Sequence, residues 1–110
     1  MERLIQLAQQ LGRQIAQHER TTLLAQAQKQ VNQDTQAGQL IREYQQHTQK
    51  IYQLEQEKKP IEVDDKRKLQ EIEQQISTHE KLKELTKRQV DFVEMMQKVK
   101  KAIDEQLPSL

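Results

Sequence analysis

The sequence predicts an all-α chain, an antiparallel helical bundle built on two long helices, and three observations carry that prediction. Apolar residues recur at three- and four-residue steps along most of its 110 positions. Gln, Lys, Glu, Leu and Ala abound, whereas Gly and Pro number two each and aromatic residues make up 3%, so the chain is poor in what sheets and turns require. A single strong breaker, Pro60, divides the pattern near its middle. The same composition excludes a β-sandwich or a doubly wound α/β domain.

The first helix is expected over about 3–17, because Leu4, Ile5, Leu7, Ala8, Leu11, Ile15 and Ala16 cover one face at helical spacing. Gly12 lies inside it and marks either a close helix contact or neutral drift. Thr21 or Thr22 can cap a second, shorter helix that carries Leu23, Leu24, Ala27 and Val31 and ends near Asn32. Asp34 is the expected N-cap of the third helix, since its carboxylate can accept free backbone N–H groups at the positive end of the helix dipole. That helix runs to Glu57, and its stripe of Leu40, Ile41, Tyr44, Ile51 and Leu54 is expected to form the core of a hairpin.

Pro60 cannot donate an N–H and pushes Lys59 out of helical dihedrals, which places the hairpin bend at 58–63. Asp64 or Asp65 can cap a fourth helix with a narrow line of Leu69, Ile72 and Ile76. Ser77-Thr78 is a weak stop, at which either a new cap forms or the helix runs on. The last stripe, Leu82, Leu85, Phe92, Val93, Met96, Val99 and Ile103, ends at Leu107-Pro108. The two long helices, near 35–57 and 79–106, are expected to fold against each other across the Pro60 bend. The organisation is one helical domain over 1–110, with an N-terminal arm at 1–32 and a hairpin at 34–107.

Only 34% of the residues are hydrophobic, too few for a fully enclosed monomeric core, so a homo-oligomer, at its simplest a dimer, is expected. Part of the surface of Leu82, Leu85, Phe92, Met96, Val99 and Ile103 is assigned to its seam. No apolar run reaches the roughly 18–20 residues of a membrane span, and the start turns polar at Gln6 before any signal-peptide core, which reads as a cytoplasmic chain without a membrane role. A net charge of +1 argues against direct nucleic-acid binding.

No constellation carries chemistry. With no Cys there is no thiolate nucleophile, disulfide or thiolate metal site. His18, His47 and His79 stand apart; Glu43 and His47 share a helical turn but have no second motif to complete a metal site. Ser77 and Ser109 lack the surroundings of a nucleophile, and no Gly-rich loop exists to hold a phosphate. The basic run Lys98, Lys100, Lys101 suits a helix C-terminus and is diluted by Asp104 and Glu105. Met95 and Met96 read as core or seam. Catalytic residues, metal ligands and cofactors are therefore all expected to be absent.

Val31-Asn32-Gln33-Asp34-Thr35-Gln36-Ala37 opening a long helix, Leu40-Ile41-x-x-Tyr44 within it, and His79-Glu80-Lys81-Leu82-x-x-Leu85 leading into a terminal helix resemble the YlbF/YmcA family, and within it the YheA-like branch. The resemblance covers about residues 4–107. It implies an all-helical subunit that pairs with itself or a relative and has a regulatory role in competence, sporulation or biofilm control, in part through a complex that influences mRNA processing by RNase Y. The iron–sulfur cluster of some members needs cysteines and is not carried over. The family's Gly at the central bend is replaced by Lys59-Pro60. The expected function is that of a non-catalytic adaptor acting through a protein interface; the alternative is a nucleic-acid-binding helical dimer.

Overall fold

The computed structural model describes residues 1–110 as five helices without a strand. They are α1 (Glu2–Gln17), α2 (Glu19–Asn32), α3 (Thr35–Gln56), α4 (Val63–Thr78) and α5 (Glu80–Asp104). The all-α expectation holds, and α3 and α5 are its two long helices. The chain divides into two compact units, one of Met1–Gln28 with Leu85–Leu110, the other of Lys29–Glu84.

In the second unit α3 and α4 pack side by side in antiparallel register. Leu40 of α3 and Ile72 of α4 are buried, Ile41, Ile51, Leu54, Leu69 and Ile76 are half-buried, and Lys50 reaches Asp65 at 2.8 Å. The partner of α3 across the Pro60 bend is thus α4 rather than the second long helix. The turn begins with a Schellman-type ending: Lys58 takes φ 56° and the Lys59 N–H donates to the Leu54 carbonyl at 2.9 Å. A lysine occupies the left-handed position where Gly is usual, at a cost of about 1–2 kcal/mol.

Two further junctions, α1–α2 and α4–α5, are built on histidine. His18 ends α1 with extended dihedrals (φ −68°, ψ 145°), and its Nδ1 accepts the Arg20 N–H at 3.1 Å while its carbonyl accepts those of Thr21 and Thr22. The expected Thr21 or Thr22 cap is therefore displaced by His18, because a neutral imidazole nitrogen accepts a hydrogen bond as an Asx oxygen does. His79 breaks the chain again in extended conformation (φ −78°, ψ 116°), and its carbonyl accepts from Lys83 in the first turn of α5. Ser77 and Thr78 donate their hydroxyls back to the Gln74 and Gln75 carbonyls, which resolves the weak stop in favour of a break. At the start of α4 the cap position is Glu62, without a side-chain bond, and Asp64 and Asp65 sit in the first turn instead. There they complement the dipole, and Asp65 is held by Lys50.

In the first unit Ala27 and Leu85 are buried. Arg20 donates to the Asp91 carbonyl at 2.9 Å and approaches Glu94 at 3.7 Å, tying the start of α2 to the middle of α5.

Candidate protein-interaction site

Asp34 caps α3 as expected, its Oδ1 accepting the Ala37 N–H at 2.9 Å. The same carboxylate faces the α4–α5 junction: Lys81 Nζ lies 3.2 Å from Oδ2 and His79 Nε2 lies 3.7 Å from Oδ1. His79 Nδ1 is buried and has no hydrogen-bond partner. The opening of α3 and the opening of α5 are therefore joined by one acid.

Beside this joint, Gln36, Leu40, Gln75, Thr78 and His79 line an open groove along α3 and α4, and Glu71 and Gln74 extend its α4 side. Its walls offer amide donors and acceptors over an apolar floor at Leu40. Its polar groups come from both helices, Gln36 on α3 and Gln75 and Thr78 on α4. No group of three or more His, Asp and Glu side chains gathers anywhere in the chain, and no helix is long and apolar enough to cross a membrane.

Asp34 has its carboxyl held below the ordinary carboxylate range, first by the Ala37 N–H and then by the hydrogen bond from Lys81. Lys50 does the same for Asp65, and Lys98 for Glu94. A depressed carboxyl stabilises the fold above its unfolded pKa of about 3.9 and loses that contribution as pH falls through the lower folded value. Asp34→Asn keeps a capping oxygen but removes the charge. Its stability deficit, read by thermal melting, is expected at pH 7 and should shrink towards zero as pH drops from 5 to 2. A deficit equal at both ends would mean that the charge of Asp34 contributes nothing.

The residues assigned to the hairpin core fall into three environments. Leu40 is buried, Ile41, Ile51 and Leu54 are half-buried, and Tyr44 sits at the exposed edge. Of the residues assigned to an oligomer seam, Leu82 and Leu85 are buried within the chain itself, Phe92, Met96 and Val99 are half-buried, and Ile103 is half-exposed. Glu43 and His47 are both half-buried on α3, where His47 adds to the positive potential at Asp65. Sequence reasoning missed Arg20: a long-range bond to a helix carbonyl leaves no periodic trace. It also missed that His79 and Lys81 converge on Asp34, although all three lie within the quoted motifs.

The family model described as "Control of competence regulator ComK, YlbF/YmcA" matches residues 4–108. No curated protein matches. Among solved structures the chain is similar to Bacillus subtilis RicA, seen in a crystal complex with RicF, with a TM-score of 0.81 and 24% identity over 93% of this chain and 90% of that one. This likeness establishes a shared fold.

Proposed function

The chain belongs to the YlbF/YmcA family, and from that membership we propose that it is a non-catalytic regulatory adaptor, working in the cytoplasm by offering a helical surface to a protein partner. The observation that carries this reading is the groove beside the Asp34 joint that the amides of Gln36 and Gln75 line. Long helices present such groups at fixed spacing, which gives specificity through matched hydrogen bonds at an affinity that permits exchange. RicA, with the same fold, is held in complex with RicF; we extend partner binding to this chain and assign its complex to RNA processing of the RNase Y type or to developmental control. The Asp34, Leu40-Ile41 and His79-Glu80-Lys81 motifs support placing it in the YheA-like branch.

The test joins two measurements on the full chain. Crosslinked capture from native cells, read by mass spectrometry, should recover one protein with wild type and lose it with Gln36→Arg/Gln75→Arg. Purified, metal-free protein should turn over no nucleotide, RNA or small-molecule substrate. Turnover abolished by Glu43→Gln, His47→Asn or His79→Asn with the fold intact would overturn the proposal. RNA binding that weakens steeply with salt would replace it with the nucleic-acid reading.

A further inference from the structure

Two helix boundaries in this chain are a single residue wide, and each is a histidine followed by Glu and a cation: His18-Glu19-Arg20 between α1 and α2, and His79-Glu80-Lys81 between α4 and α5. The two rings are engaged differently. His79 is half-buried, its Nδ1 without a partner and its Nε2 3.7 Å from Asp34. His18 is exposed, and its Nδ1 accepts the Arg20 N–H at 3.1 Å. A ring nitrogen accepts a hydrogen bond only while it carries no proton; once protonated it is a donor facing a donor. The added charge would sit between the negative end of α1 and the positive end of α2, which offset each other, so the lost acceptor decides the sign. The bond that closes this bend therefore exists for one charge state of one side chain, and histidine is the side chain that ordinarily changes charge between pH 5 and 8.

We propose that the α1–α2 junction is a proton-sensitive hinge: neutral His18 holds the two helices bent, and its protonation releases α1 from the bend. α1 has little else to hold it, since none of its residues is buried. α2 stays in place, because Ala27 and Val31 are buried and Arg20 donates to the Asp91 carbonyl at 2.9 Å. Arg20 also pairs with Glu94, whose carboxyl Lys98 holds below the ordinary range, so that this tie persists at pH 5. Of the other charged groups around the junction, Arg88 lies 3.8 Å from Asp91 on α5, and Glu19 stands in the first turn of α2, where it complements the dipole. The last turn of α1 offers only Gln14 and Gln17 beside Ile15 and Ala16. A cap bond shifts its local equilibrium by about fivefold, so release is a change of population and not unfolding. The bend matters for what α1 displays: Leu4 is 64% exposed, Ile5 51% and Leu7 48%. In one continuous helix the stripe of Leu4, Leu7, Leu11 and Ile15 would lie about 170° away from that of Leu23, Leu24, Ala27 and Val31, at 100° per residue. Protonation thus changes the direction in which α1 presents its apolar side chains, independently of the adaptor reading and of the α3–α4 groove.

Double electron–electron resonance on the full chain tests this, with nitroxides on Gln6→Cys/Gln26→Cys diluted into unlabelled chain; both positions are exposed and the sequence has no cysteine of its own. At pH 7.5 a single narrow distance is expected. At pH 5.0 a second population should extend towards about 30 Å, the Cα separation across twenty residues of unbroken helix. His18→Asn keeps a capping oxygen that takes up no proton, and should stay narrow at both pH values. His18→Ala has no acceptor, and its long population should exceed that of wild type at pH 7.5 by about fivefold and not change with pH. Helical circular dichroism should hold in all three chains throughout. A wild-type distribution that does not move with pH overturns the proposal, as does His18→Asn moving like wild type or His18→Ala remaining bent at pH 7.5. Loss of helix at pH 5.0 in all three chains overturns it as well, because the proton would then act on the fold and not on the hinge.

Discussion

Leu40→Asp is expected to lower the stability of the chain by about 3–5 kcal/mol, which is a large part of what a small domain has. Leu40 is 7% exposed on the face of α3 that packs on α4. An aspartate there removes apolar burial and adds a carboxylate that must either lose most of its hydration or take up a proton. Lys81, at the same end of α3, is already engaged by Asp34. Urea unfolding followed by circular dichroism measures the loss, and because protonation relieves the buried charge, the loss should be smaller at pH 3 than at pH 7. A change below about 1 kcal/mol would mean that position 40 faces solvent rather than α4.

Ala37→Leu should cost about 2–3 kcal/mol for the opposite reason, excess volume. Ala37 is fully buried in the first turn of α3, and its N–H is the one that Asp34 accepts. Three added carbons must displace the surrounding side chains or shift the helix start, and a shift lengthens the cap bond and moves Asp34 away from Lys81. Ala37→Gly is the control: it opens no comparable clash and should cost only the helix propensity difference of about 1 kcal/mol. If Ala37→Leu melts no lower than wild type, room exists beside the cap and the packing argument fails.

Both effects act on one joint, and how much of that joint could be read in advance differs from residue to residue. Asp34 was legible as a cap because capping is local: the acceptor and the N–H it satisfies are three residues apart. The convergence of His79 and Lys81 on it was not, since it depends on where α4 returns after the Pro60 bend. Leu40 was legible as core from its place in the α3 stripe, while Tyr44, one turn further on in the same stripe, lies at the exposed edge. Periodicity places a residue on a face but does not say how far the covering element extends. The capping role of the His18 ring was missed for a narrower reason. Preference at helix starts favours Thr, Asp and Asn, and His18 caps α2 only because its Nδ1 is turned towards the Arg20 N–H.

The helical class, the positions of the first three helices to within a few residues, the Pro60 bend and the Asp34 cap were determined by the sequence alone, because each rests on spacing, dihedral restriction or hydrogen bonds within a turn or two of the chain, whereas the break between α4 and α5 was left open. Tertiary structure alone decided that α4 rather than α5 folds back on α3, that Leu82 and Leu85 are buried inside the chain while Leu4, Leu7 and Leu11 stay open, and that one carboxylate joins two helix starts. The apolar stripes of α1, α3 and α5 look alike as patterns. Which of them is covered depends on the distance and direction in which the chain returns, and that is a property of the packed helices together rather than of any one of them.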